Sequence, residues 1–251
     1  GPFLIMQYMQ LVITYTPLQT AVALTPLAIP LLVFAGLTQW FLPRVGLRLS
    51  VASGLAILAS GLLCMRLLDV DSTYFDLAWP MLVLSTGMGI CNAPSTTAIT
   101  GAVPLSKQGV ASAINDTTRE LGGALGIAVA GSILAAGYSS AFASNVESLP
   151  STLREPALGS LAQALQIAAG LGPQGTGLAR QANDAFLVGM HSSLLLLAIV
   201  VFISAAVVAI WGPGRDGRQI RVLRRFGMTD PGNRAQSADA RDDAQEHPVT
   251  N

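Results

Sequence analysis

The chain has 251 residues, of which 51% are apolar and 11% charged, with 14 Lys and Arg against 14 Asp and Glu. Ordinary soluble domains carry roughly 25% charged residues, so this chain cannot build a fully solvated surface. The composition excludes a soluble enzyme, a nucleic-acid binder and a disulfide-stapled secreted domain.

The charges are also unevenly placed. Residues 1–43, 49–65, 77–106, 121–146 and 185–214 contain none. A hydrocarbon core about 30 Å thick needs about 20 apolar helical residues, and most of these stretches suffice. They predict an all-α, polytopic transmembrane helix bundle with the lipid bilayer as its first partner. Cys64 and Cys91 lie inside apolar runs, without metal-ligand spacing, and read as small packing residues.

The chain opens at Gly1-Pro2 straight into FLIMQYMQLVIT. No basic flank precedes the run, so it reads as starting inside a helix and as a piece of something longer. This first segment is a helical stub over 1–14. Pro17 suits the first position of the next helix, expected over 17–41 with Pro26 and Pro30 inside it. Interior prolines free backbone carbonyls, which neighbouring helices or water can satisfy. They mark either a kink beside a cavity or a merely bent packing helix. A short loop with Arg44 and Arg48 leads to a helix over 47–66. An acidic loop with Asp69, Asp71 and Asp76 precedes a helix over 77–103 that contains Pro94. A tight loop with Lys107 precedes a long helix over 108–140. Residues 141–184 form a polar, helix-prone loop, and the last apolar helix covers 185–211. One leucine-spaced part of the loop, Leu153 to Leu165, predicts an amphipathic helix on the membrane surface or a cap over the bundle. The basic, then polar tail 212–251 is expected to be disordered.

Lys and Arg set orientation in the membrane. Arg44, Arg48, Lys107 and the tail arginines 215, 218, 221, 224 and 225 fall on alternate loops. That places them, and the C-terminus, in the cytoplasm of a multi-pass cell-membrane protein.

Charge within a span is confined to the helix over 108–140. Asp116, Arg119 and Glu120 stand at i, i+3 and i+4, one sector of a single face. Asp116 lies about 13 Å along the axis from Lys107, in the cytoplasmic third of the bilayer. Charges cost about 2.5–3.5 kcal/mol each at the bilayer centre and less near its edge. The three should therefore face protein or a water-filled cavity. They can form an Arg–carboxylate clasp to another helix, handle protons or substrate, or snorkel to the interface. Asn92 and Asn115 join them as candidates for a substrate or proton pathway. Asn92 fits either an interhelical hydrogen bond or a cavity lining. Gly122, Gly126 and Ala130 form a small-residue stripe suited to close helix packing. His191 reads as a hydrogen-bonded packing residue or, less simply, a pH sensor. With two histidines in all, a membrane-embedded enzyme has too few catalytic groups, and no cofactor or metal site is expected.

Three blocks carry a resemblance: YMQLVITYTPLQTAVALTPLAIPLL, GVASAINDTTRELGGALGIAVAGSIL and AFLVGMHSSLLLLAIVVF. They are similar to the 14-helix drug:proton antiporter branch of the major facilitator superfamily, the EmrB/QacA type. The resemblance covers about residues 5–211. It implies the C-terminal six-helix half of such a transporter, with five full spans plus one truncated span within 1–211. It also implies a small-molecule substrate, a missing N-terminal half as partner, multidrug efflux conferring antibiotic resistance, and a proton gradient as the energy source. By the same analogy the helices over 1–14, 17–41, 77–103 and 108–140 line a cavity, while 47–66 and 185–211 pack outside. Arg44 and Gly46 echo the superfamily's basic cytoplasmic loop, without its fuller acidic-basic pattern. The alternative is a truncated, non-transporting remnant or scaffold.

Overall fold

A computed structural model describes residues 2–101, 103–146 and 149–212. The tail from residue 213 onward, with its seven arginines, lies outside the described residues. Helix α1 (Pro2–Gln7) passes into a π-helical turn at Tyr8–Val12. The chain then turns at Thr14, whose φ is 62°, and enters α2 (Pro17–Leu24). Thr16 and Gln19 cap each other reciprocally, Gln19 N donating to Thr16 Oγ1 at 3.3 Å and Thr16 N to Gln19 Oε1 at 2.9 Å. That pairing satisfies two orphan donors of the first turn, and Pro17 stands where a missing N–H costs nothing.

The expected single helix over 17–41 is divided. A 3₁₀ turn at Thr25–Leu27 separates α2 from α3 (Ala28–Val45). Pro26 lies in that turn and makes the break. Pro30 falls in the first turn of α3, where its missing N–H would have no intrahelical partner anyway, so it adds little to the bend. Gly46, with φ 85°, turns the chain in a single residue from α3 into α4 (Leu47–Cys64). A side chain there would be strained.

After a 3₁₀ turn at Met65–Leu67, residues 68–73 lead to α5 (Tyr74–Gly101). Thr73 donates from its backbone N–H at 2.8 Å and its hydroxyl at 2.7 Å to Asp76 Oδ2. These bonds hold the Asp76 carboxyl below the usual aspartate range. Helix α6 (Gln108–Phe142) follows, then α7 (Ser151–Gly159), α8 (Leu161–Gly170) and α9 (Thr176–Trp211). The 141–184 loop therefore contains two short helices and the first turns of α9. The last helix starts at residue 176 rather than 185. Arg180 and Asp184 interrupt the apolar run but not the backbone, because Leu178 and Ala182 are buried.

Among the described residues, four helices are long and apolar enough to cross a membrane: Pro17–Thr38, Leu47–Leu67, Gln108–Phe142 and Thr176–Trp211. The 28 residues of α5 reach about 42 Å at 1.5 Å each. Its Ser, Thr, Asn and Pro residues leave it less apolar than the other four.

The helices pack side by side in the order α3, α5, α4, α9, α6. Successive spans alternate in direction, so the bundle has a short-turn end, with residues 46 and 103–107, and a long-loop end, with residues 68–73 and 143–175. Glycines set the tightest seams. A Cβ on Gly87 of α5 would stand 2.4 Å from Leu58 N of α4, and one on Gly61 of α4 2.7 Å from Leu84 N of α5. In the α6–α9 seam a Cβ on Gly137 would stand 2.7 Å from Gly189 Cα. Ser193 Oγ donates to Ala130 O across this seam at 2.8 Å. Small residues let backbones approach and give hydrogen bonds and dispersion contacts their reach in lipid.

The long-loop end is held from several sides. Tyr8 is fully buried and donates to Asp69 O at 2.7 Å. His191 Nε2 meets Leu68 O at 3.0 Å. Tyr138 donates to Ala157 O at 2.9 Å, pinning α7 over α6, and stacks on Phe142. Arg180 and Asp71 pair at 3.6 Å while both stay largely exposed, an arrangement that contributes little. At the short-turn end Arg48 of α4 donates to the Ala209 carbonyl in the last turn of α9. That carbonyl has no partner within its own helix.

Candidate functional site

Helix α6 changes character along its length. Ala130, Leu134, Tyr138 and Phe142 are buried at about one-turn spacing, but from Ser112 to Val129 no residue is. Asp116, Arg119 and Glu120 are exposed, and Asn115 is half-buried. None of the three charges makes an ion pair or hydrogen bond with another described residue, so no clasp forms among the described residues. Gly122 and Gly126 also have nothing within 4 Å of a built Cβ. The small residues of α6 that meet a partner helix lie further along, at Ala130 and Gly137, facing Ser193 and Gly189 of α9. An open groove of about 430 Å³ runs beside the charged face, lined by Gly109, Val110, Ala113, Ile114, Thr117 and Thr118. The two threonine hydroxyls bond their own helix, at Ala113 O and Ile114 O, both at 2.8 Å.

Helix α5 carries the second polar stretch. Asn92 is half-buried and its carbonyl accepts from Thr96 Oγ1 at 3.1 Å. Its neighbour Cys91 is packed against Gly54 of α4. Pro94 is fully buried. It removes one donor from the ladder, and hydroxyls of the same stretch bond back to the helix, Ser95 Oγ to Cys91 O at 2.7 Å. Pro30 O and Phe34 Cβ of α3 each lie 3.0 Å from a Cβ built on Gly89. The proline-bearing helix is thereby seated against α5 just before Asn92.

Two polar atoms were not foreseen. Gln7 Oε1, at the entry to the π-helical turn, and Asn183 Oδ1 on α9 are buried without a hydrogen-bond partner. Buried polar groups are nearly always bonded, so these are sites where a solute or water could bind. A Gln inside an apolar stub was the available signal for the first. His191, by contrast, has a named partner in Leu68 O and serves as a packing residue joining α9 to the 68–73 turn. Among the described residues no group of three or more His, Cys, Asp and Glu could hold a metal ion.

These features define a membrane-spanning helical bundle with one polar face left open. Residues 2–127 match the family model of the Major Facilitator Superfamily, and the chain belongs to that superfamily of transporters. It is 29% identical over 213 residues to the multidrug efflux pump LfrA of Mycolicibacterium smegmatis, covering 83% of this chain and 41% of the relative. It is 30% identical over 217 residues to the methyl viologen resistance protein SmvA of Salmonella typhimurium, covering 81% of this chain and 42% of the relative. A third similar protein is the colistin resistance protein EmrB of Acinetobacter baumannii, 31% identical over 101 residues, with 40% of this chain and 20% of the relative covered. The chain thus spans about two-fifths of the length of the first two. The resemblance read from the three sequence blocks agrees with these findings.

Proposed function

We propose that this chain is one half of a drug-efflux transporter that works by alternating access and is driven by proton entry. Its substrates are small amphiphiles, of the kind that the names of LfrA and SmvA indicate for those proteins. The carrying observation is the uncovered charged face of α6. Three charges within a membrane-spanning helix are costly against lipid, yet all three are exposed among the described residues. A second helical half, packed across α6, would supply protein or water there. Asp116 and Glu120, one turn apart, are suited to take and release a proton, and Arg119 to organise them. Asn92, Asn115 and the buried, unpartnered Gln7 Oε1 would add hydrogen-bonding groups to the same pathway. In this reading the short-turn end, with Arg44, Arg48 and Lys107, faces the cytoplasm.

The test is efflux of a lipophilic cationic dye by cells carrying the full-length protein. Efflux should stop when the proton gradient is dissipated. Arg119→Ala at equal expression should lower it about tenfold, the scale of one lost charge-assisted hydrogen bond. Undiminished efflux without a gradient would remove the proton coupling. Undiminished efflux in the variant would remove the charged face from the mechanism, and no efflux at all from the full-length protein would favour a non-transporting remnant.

A further inference from the structure

The short-turn end of α3 carries a cation that the transport pathway does not use. Arg44 is exposed in the last turn of α3. Its guanidinium carbon lies 4.2 Å from the centroid of the Trp40 ring, and Nη1 donates to Trp40 O at 2.7 Å. A stacked, hydrogen-bonded guanidinium keeps a fixed orientation, and its further N–H donors have no acceptor among the described residues. No described carboxylate lies within 4 Å of it. Trp40 is itself 63% exposed, at the height where indole rings mark a membrane interface.

Below this pair the same face of α3 is apolar and open. Leu32, Val33 and Leu37 are exposed, and Gly36 between them has nothing within 4 Å of a built Cβ. One helix face thus presents a notch lined by aliphatic side chains, an indole above it and an oriented cation at the top. Lipid headgroups and acyl tails have this sequence of chemistry along the membrane normal.

We infer that Arg44, Trp40 and the Gly36 notch form a binding site for one anionic phospholipid. The phosphate takes the remaining guanidinium donors, the glycerol region lies against the indole, and an acyl chain lies over Gly36. Charge complementarity selects the acidic lipid: an oriented cation with no carboxylate partner among the described residues stands at the headgroup level. The Arg48 guanidinium is already engaged by the Ala209 carbonyl and is not needed.

The test uses Trp40 as the reporter. The full chain is reconstituted with brominated phosphatidylglycerol or brominated phosphatidylcholine as a minor component in unbrominated phosphatidylcholine. The W40F variant subtracts the signals of Trp79 and Trp211. The expected result is Trp40 quenching several-fold stronger with brominated phosphatidylglycerol at equal mole fraction. Arg44→Ala should abolish the preference, and Arg44→Lys should retain part of it. Arg180→Ala, at the opposite end, should leave it unchanged and report that the fold is intact. Equal quenching by the two lipids in the wild type would overturn the proposal, as would an undiminished preference in Arg44→Ala. Relief of quenching by millimolar inorganic phosphate at constant ionic strength would assign the site to a free anion and equally overturn it.

Discussion

The two halves of α6 are both rich in small residues but have opposite surroundings. From Ala130 to Phe142 the helix is clasped to α9, Leu134 being 7% exposed, whereas Leu121 and Leu125 in the other half are 61% and 66% exposed. Both halves contain small residues at helical spacing. Only Gly137 finds a backbone facing it, because Gly189 comes from α9 at the same height. A small-residue stripe is therefore a permission to pack, and the partner decides whether it is used. The half without a partner is also the half with the charges.

Substitutions in the packed α6–α9 seam and on the open half of α6 should separate them. Gly189→Leu places a branched side chain where even a Cβ would stand 2.4 Å from Leu134 O. The cost should exceed the roughly 1–3 kcal/mol typical of overpacking, because backbone cannot step aside as a side chain can. Detergent-solubilised variant should show a large drop in thermal midpoint or lose its monodisperse peak. Ser193→Ala, which removes the hydroxyl donated to Ala130 O, should cost about 0.6 kcal/mol. That is a small but measurable midpoint shift, and a shift as large as that of Gly189→Leu would mean the seam depends on this bond more than on shape. Gly126→Ala meets nothing within 4 Å and should leave this chain as stable or more so, by up to about 1 kcal/mol of helix propensity. If the same change destabilises the full-length protein as measured by thermal unfolding, then the open half of α6 is a packed surface there.

Much of this was legible in the sequence. Charge-free stretches located the membrane helices, since the bilayer imposes one length and one polarity on every span. The ends were less legible. Arg180 and Asp184 hid the first turns of α9, because a helix can continue past the lipid on contacts with α8 that composition does not reveal. Pro26 and Pro30 looked equivalent in sequence. Their effects differ because one falls mid-helix and the other where a helix begins anew. Asp116, Arg119 and Glu120 were found by spacing alone, but their surroundings depend on which helix crosses α6 and at what height. The Gly137–Gly189 contact was missed for the same reason: it joins residues 52 apart in the chain, and neither glycine stands in a recognisable repeat. Gln7 escaped notice because a lone amide in an apolar run has no period to announce it.

The break at Thr25–Leu27 acts as a crank in the second span. A 3₁₀ turn advances about 120° per residue against about 100° in an α-helix, so three such residues rotate everything downstream by about 60°. That rotation brings Pro30 and Phe34 onto Gly89 and aims Gly36, Trp40 and Arg44 along a different bearing. Were the turn to relax into regular α-helix, the lower rod would spin on its axis by that angle and leave its seat against Gly89. The span is thus geared at its middle, and its two ends need not present the same side to their neighbours.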